Sequence, residues 1–304
     1  MIHIFTALIP IFSLIMIGYF FKRIKFPSYD FWPQADKITY YILMPSLLIY
    51  KLSTASLDSL NSVNYVLTAL ITIFTVLLIL FILNKFFNFK ADAFTSIVQG
   101  GIRFNTYVFL ALADAVLGDN GMVLAAILLT FAIPFINIMC ISTFALYVSQ
   151  KKLTFTYLLK SIVTNPLIIG CFIGGSINFT GIDVPIIIEN TLKIIGQAAL
   201  PLGLLSIGFG LVLKEIKSSK KDIVVSSFSK LLLTPIIMFI VAKAFSLDDS
   251  MITVLLIFSV LPTAPSSFIL ARQLGGNIPL MSSIITVQTL ISALFIIVVL
   301  HYFT

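Results

Sequence analysis

Two short polar stretches interrupt long apolar runs in this chain, and their residue types suit the capture of an anion. One is Leu261-Pro262-Thr263-Ala264-Pro265-Ser266-Ser267, inside the run from Met251 to Leu274. The other is Gly100-Gly101-Ile102-Arg103-Phe104-Asn105-Thr106, between Phe94 and Leu117. Arg103 carries a planar fork of donors that matches a carboxylate. Asn105, Thr106, Thr263, Ser266 and Ser267 add short polar arms that donate and accept. Pro262 and Pro265 each remove a backbone N–H and clash with the preceding turn, so a helix kinks or breaks there. Catalytic chemistry has no comparable signal. His3 and His301 stand at opposite ends of the chain, and no spacing suggests a metal site. Gly203-Leu204-Leu205-Ser206-Ile207-Gly208 lacks the spacing of a nucleophile elbow. The sequence therefore argues against an enzyme, and no cofactor is expected beyond a coupling proton or sodium ion.

The elements that must hold these stretches are membrane helices. Of 304 residues, 59% are hydrophobic and only 10% charged, against roughly 25% charged in soluble domains. Mean hydropathy is +1.11. The apolar runs are continuous, without the alternation of a β-barrel. With about 20 residues per crossing, ten spans are expected, near 3–21, 34–51, 63–84, 93–117, 121–149, 155–178, 186–213, 222–245, 250–274 and 279–302. The first reads as a retained helix, since no basic leader precedes it. Cys140 and Cys171 fall within apolar runs and act as small hydrophobes.

Charge sets the expected orientation. The loops after spans one, three, five and seven hold eleven cations: Lys22, Arg23, Lys25, Lys85, Lys90, Lys151, Lys152, Lys214, Lys217, Lys220 and Lys221. The alternate loops hold Lys51 and Lys243 with Asp58, Asp119, Asp183, Asp248 and Asp249. The first set is expected in the cytoplasm, which puts both termini outside a multi-pass inner (plasma) membrane protein. The net charge of +7 then serves topology, and no nucleic-acid partner is expected.

An internal repeat appears at a spacing of 156 in Pro10/Pro166, Gly18/Gly174, Lys37/Lys193 and Pro45/Pro201. It continues at 157 in Asp92/Asp249 and in Leu117-Gly118-Asp119-Asn120 against Leu274-Gly275-Gly276-Asn277. Five spans per repeat is odd, so the repeats, 1–150 and 153–304, enter the membrane in opposite directions. That is a common architecture of secondary transporters. Asn105 falls opposite Pro262, each about 20 Å along its span. Two helices broken at mid-membrane and crossing there are expected.

Several residues carry two readings. Arg103 is a counter-ion for a substrate carboxylate or a structural partner of another helix. Asp114, eleven residues on, is about 16 Å away along a helix and out of its reach. Asp114 itself is an ion-coupling carboxylate or an interfacial one in water. The Ser and Thr side chains either line a site or bond back to their own helix. Pro45 and Pro201, with Gly100, Gly101 and Pro265, are expected as helix breaks, the first two alternatively as packing kinks. Arg103 and Asn105 lie about 200° apart on a regular helix. The expectation is that Gly100 and Gly101 loosen it, with Asn105 touching substrate and Arg103 acting from behind. Lys37, Lys160, Lys193 and Lys230 are expected to snorkel to the interface, and Arg272 to serve topology.

Taken in order, Leu43-Met44-Pro45-Ser46-Leu47-Leu48, Arg103-Phe104-Asn105-Thr106, Thr164-Asn165-Pro166-Leu167, Leu200-Pro201-Leu202, Leu261-Pro262-Thr263-Ala264 and Leu270-Ala271-Arg272-Gln273-Leu274-Gly275 resemble the auxin efflux carrier family. That family includes the plant PIN proteins and bacterial carriers of small organic acids; the short junction Gln150–Lys152 resembles the bacterial type. The resemblance implies an all-α integral membrane fold of ten helices in two inverted repeats, related to the bile acid:sodium symporters and NhaA-like antiporters. Helices one, two, six and seven would form a scaffold, dimeric through helices two and seven. Helices three to five and eight to ten would form a moving transport domain, working as an elevator. The site would lie where helices four and nine cross. Leu112 stands where family members often carry a proline, which implies a milder break in helix four. The expected function is alternating-access transport of a small organic anion, an auxin-like acid or a dicarboxylate. A sodium-coupled bile-acid-type symporter and a membrane sensor or scaffold without flux are the alternatives.

Overall fold

The computed structural model describes residues 2–55, 62–148, 160, 163–212 and 220–303. The expected junction Gln150–Lys152, together with Asp58, Lys214 and Lys217, lies outside the described residues. Every regular element described is helical. In order these are α1 (Ile2–Ile24), α2 (Phe31–Ile38), α3 (Met44–Ser53), α4 (Ser62–Phe87), α5 (Ala91–Ile102) and α6 (Thr106–Tyr147). There follow α7 (Pro166–Thr180), α8 (Ile186–Gln197), α9 (Ala199–Gly210), α10 (Lys220–Phe228), α11 (Thr234–Ala244), α12 (Asp249–Ser259), α13 (Ser266–Leu274) and α14 (Ile278–Phe303). Among the described residues, six helical stretches are long and apolar enough to cross a membrane. Large apolar side chains such as Phe172, Phe179, Ile187 and Leu294 face outward. That is a costly surface in water and the natural one in lipid.

The prolines shape the spans in two ways. Before Pro45 and before Pro235 the chain widens into a π-helical turn, Thr39–Leu43 and Ser229–Leu233, and helix resumes at α3 and α11. The wide turn absorbs the missing N–H without a break, so Pro45 does not interrupt its span. Pro201 lies in the first turn of α9, after a short turn at Ala198. Gly118, with φ 58° and ψ −141°, interrupts α6. A Cβ on Gly121 would stand 2.1 Å from the Ala113 carbonyl, so the two limbs of α6 fold back against each other there.

Helix packing falls into two groups. α1 lies along α9, and α3 lies along α7 and α8. The backbones nearly touch in both cases. A Cβ on Gly208 would meet the Ile15 carbonyl at 1.8 Å, and one on Gly174 would meet Ile49 Cα at 2.9 Å. Small residues at such crossings allow close packing where lipid supplies no hydrophobic drive. The second group joins α4, α5, α6 and α10 to α14, with α6 also touching α1, α7 and α9. Its centre is dry: Phe94, Ile97, Phe109, Leu124, Leu128 and Phe258 are all fully buried.

Candidate functional site

The second group contains two interrupted helices that meet. α5 ends at Ile102, Arg103 is extended (φ −77°, ψ 159°), and α6 restarts after Asn105. α12 ends at Ser259 and α13 starts at Ser266. The two breaks are bonded directly, since the Asn105 N–H donates to the Pro262 carbonyl at 2.8 Å. Gln288 of α14 ties both. Its Nε2 donates to the Gly100 carbonyl at 3.0 Å, and its Oε1 accepts from the Thr263 N–H at 2.9 Å. The Thr263 hydroxyl lies 2.7 Å from that same Oε1 and 2.9 Å from the Gly100 carbonyl. Freed backbone groups at membrane depth are thereby satisfied by protein.

The position of the first break differs from expectation. Gly100 and Gly101 are helical, and the interruption comes at 103–105. The glycines serve close packing instead. A Cβ on Gly100 would stand 2.0 Å from Ser226 Oγ, and one on Gly101 would stand 2.7 Å from Leu80 Cδ1. The break also sets its two polar residues apart. Asn105 is 1% exposed, and its Oδ1 caps α6 by accepting from Tyr107 N at 3.1 Å and Val108 N at 3.3 Å. Arg103, on the extended segment, reaches the open space itself.

That space is a cavity of about 140 Å³, walled by Arg103, Phe104, Thr106, Ala264 and Ser266 from the breaks. Tyr40, Ile133, Ile136, Asn137, Asn165 and Leu167 complete it. Arg103 Nη2 donates to Ser266 Oγ at 3.2 Å, while Nη1 is buried and the guanidinium lies beside the Cys140 thiol. Asn105 Nδ2 and Ser267 Oγ are buried and unpartnered. Three helix N-termini open here: α6 at Thr106, α7 behind Asn165 and α13 at Ser266. Asn165 caps α7 as Asn105 caps α6, accepting from Leu167 N at 3.0 Å and Ile168 N at 3.4 Å. Converging N-termini with a guanidinium make a region that favours negative charge.

Of the residues expected at the site, Arg103, Thr106 and Ser266 line the cavity. Asn105, Pro262, Thr263 and Ser267 form the crossing behind it, and Pro265 starts α13. Pro45 packs against Gly170, away from the cavity wall. Asp114 lies outside it and pairs with Lys51 at 3.5 Å; Lys51 also bonds Asp119. Asp119 sits in the connection between the α6 limbs, where the Lys51 hydrogen bond and charge hold its carboxyl below the usual range. Asn165, Asn137, Tyr40 and Gln288 were not expected. The Asn165-Pro166 pair was legible, because an Asn cap before a Pro is a helix start. Gln288 had a weaker signal, a lone amide within an apolar helix.

Two interrupted helices thus meet inside an apolar helical bundle, with a cavity at their junction. The chain belongs to the membrane transport protein family, whose model matches residues 3–300. This is the family to which the resemblance to the auxin efflux carriers pointed. A protein of Rhizobium meliloti (strain 1021) named "Putative malonate transporter" is 26% identical over 134 residues, 44% of this chain and 42% of that one. The match thus spans less than half of either protein.

Proposed function

We propose that the protein is a secondary carrier that moves a small organic anion across the inner (plasma) membrane by alternating access. The observation that carries this reading is the Arg103 guanidinium, which lies beside the buried Cys140 thiol and faces a cavity onto which three helix N-termini open. Ion pairing elsewhere does not account for it, because the described ion pairs are those of Lys51. The cavity suits a compact carboxylate, and the name of the Rhizobium relative is in keeping with a dicarboxylate. In this reading ten spans form two inverted repeats with both termini outside. α1 to α3 and α7 to α9 form the scaffold, and α4 to α6 and α10 to α14 move as an elevator. The direction of flux and a coupling proton or sodium ion, with Asp114 as a candidate carboxylate, belong to the same proposal, as does a homodimer.

The test is a thermal-shift and binding screen of the purified protein against malonate, succinate and indole-3-acetate, with and without sodium. A bound ligand raises apparent stability. Arg103→Gln should weaken carboxylate binding about ten- to a hundredfold, the scale of a charged hydrogen bond. Arg103→Lys keeps the charge but loses the fork and should weaken it less. Unchanged affinity in Arg103→Gln moves the site away from the crossing.

A further inference from the structure

A second cavity lies at one end of the bundle, about 18 Å along α5 from the crossing. Four helices end together there: α4 stops at Phe87, α5 starts at Ala91, α10 starts at Lys220 and α14 starts at Ile278. The cavity holds about 330 Å³, more than twice the 140 Å³ at the crossing, and Phe87, Phe89, Lys90, Lys221, Asp222 and Asn277 line it. Its two cations stand where a helix does not favour them. Lys90 is the N-cap of α5 and makes no side-chain cap bond, and Lys221 is in the first turn of α10. Both face the positive end of a helix dipole. Neither forms an ion pair among the described residues. Lys221 Nζ lies 4.4 Å from the centre of the Phe87 ring and 5.1 Å from that of Phe89, and donates to the Phe87 carbonyl at 3.4 Å. Of the nearby carboxylates, Asp92 accepts from Asn277 Nδ2 at 3.0 Å, while Asp222 lines the cavity. Two cations against one lining carboxylate leave a surplus of one positive charge. An apolar surface leads away from it. Lys221, Val224 and Phe228 share one face of α10 at i, i+3 and i+7. Val224 and Phe228 are exposed, as is Phe86 at the end of α4.

We infer that this cavity binds the headgroup of one anionic phospholipid, with Lys90 and Lys221 on its phosphodiester and its acyl chains along Val224 and Phe228. A phosphodiester accepts from two ammonium groups at once and suits the uncapped start of α5. Charge selects the lipid. A headgroup carrying one negative charge matches the surplus, and a zwitterionic one leaves it unmatched. Position selects the source. The cavity sits where spans end, beside exposed aromatic rings, which is headgroup level in a bilayer. The apolar face of α10 gives acyl chains a surface that a free phosphate compound would not use. The site is separate from the crossing, so it stands whatever the carrier moves.

The probes are dioleoyl phosphatidylglycerol, dioleoyl phosphatidylcholine and the soluble headgroup glycerophosphoglycerol. Each is titrated into the full-length protein in detergent, and binding and thermal unfolding are read together. Phosphatidylglycerol should bind and raise the melting temperature, and phosphatidylcholine should do neither. Lys90→Gln combined with Lys221→Gln should weaken phosphatidylglycerol binding about thirtyfold, the scale of two cations at a membrane surface. The pair Lys90→Arg and Lys221→Arg keeps both charges and should keep most of the affinity. Arg272→Gln, at the end of α13 and outside the cavity, should change nothing. Each single glutamine variant repeats the measurement if the pair does not fold. Equal binding of the two lipids by wild-type protein overturns the inference, as does wild-type affinity in the glutamine variants. An equal loss in Arg272→Gln also overturns it, because attraction is then spread over the charged surface. Glycerophosphoglycerol binding as tightly as the whole lipid refutes the lipid assignment and leaves a site for a soluble phosphodiester.

Discussion

Asn105 and Arg103 were both expected at the site; in the structure Asn105 caps α6 and Arg103 lines the cavity wall. The difference follows from where the backbone opens. An Asn side chain that accepts from N–H groups two and three residues on has spent its oxygen on the helix start, as Asn105 does. Asn105→Ala should therefore lower stability by about 1 kcal/mol, the usual loss on removing a cap, and weaken carboxylate binding as well. Asn105→Asp should keep the cap and lose affinity for anions, since it adds a negative charge at the crossing. Thermal unfolding and ligand titration on the same samples separate the two effects. A stable Asn105→Ala with unaltered binding would count against the site. Lys51 gives a second test at this scale. Asp119 has a depressed pKa in the folded protein, so its pair contributes stability above the unfolded carboxylate pKa of about 3.9 and loses it as pH falls through the lower folded value. The carboxylate is 86% exposed, so the contribution is small and screened by salt. Asp119→Asn should lower the melting temperature slightly at pH 7 and low salt. The difference should vanish near pH 2 or at about 1 M salt.

At the scale of elements, the second break was legible because two prolines and three hydroxyl residues in an apolar run have few other uses. The first was legible only to within a few residues. Gly100 and Gly101 read as breakers by type, yet glycine also admits a neighbouring helix, and here Ser226 and Leu80 fill the space. Sequence cannot choose between these uses, because the choice depends on which face another helix covers. Lys230, expected at the interface, is 1% exposed inside the turn Ser229–Leu233 for the same reason, since depth along a span does not say whether a side chain points to lipid, water or protein. The contacts of α1 with α9 make a sharper prediction. Gly208→Ala places a methyl against the Ile15 carbonyl, where backbone must give way, and should abolish stable expression or lower the melting temperature strongly. Gly175→Ala meets nothing within 4 Å and serves as the control. Equal behaviour of the two would mean that α1 and α9 do not pack this closely.

For the whole molecule, membrane residence was plain from composition, and the helical class from unbroken apolar runs. The number of crossings is harder to read. α5 and α6 are separated by only three residues and α12 is short, so six stretches satisfy a length rule where ten were expected. Topology is decided by labelling. Cysteines placed at Asp119 and at Lys151 should react from opposite sides of the membrane, and reaction of both from one side would refute the proposed orientation. Gln288 has a consequence at this scale too. One amide is riveted to the carbonyl of Gly100 and to the N–H of Thr263, so the two broken helices cannot part without unfastening it. In the proposed transport cycle the crossing would then move as one piece past the closely packed pairs of α1 with α9 and α3 with α7, and a cross-link that fixes Gln288 to the crossing would leave transport intact.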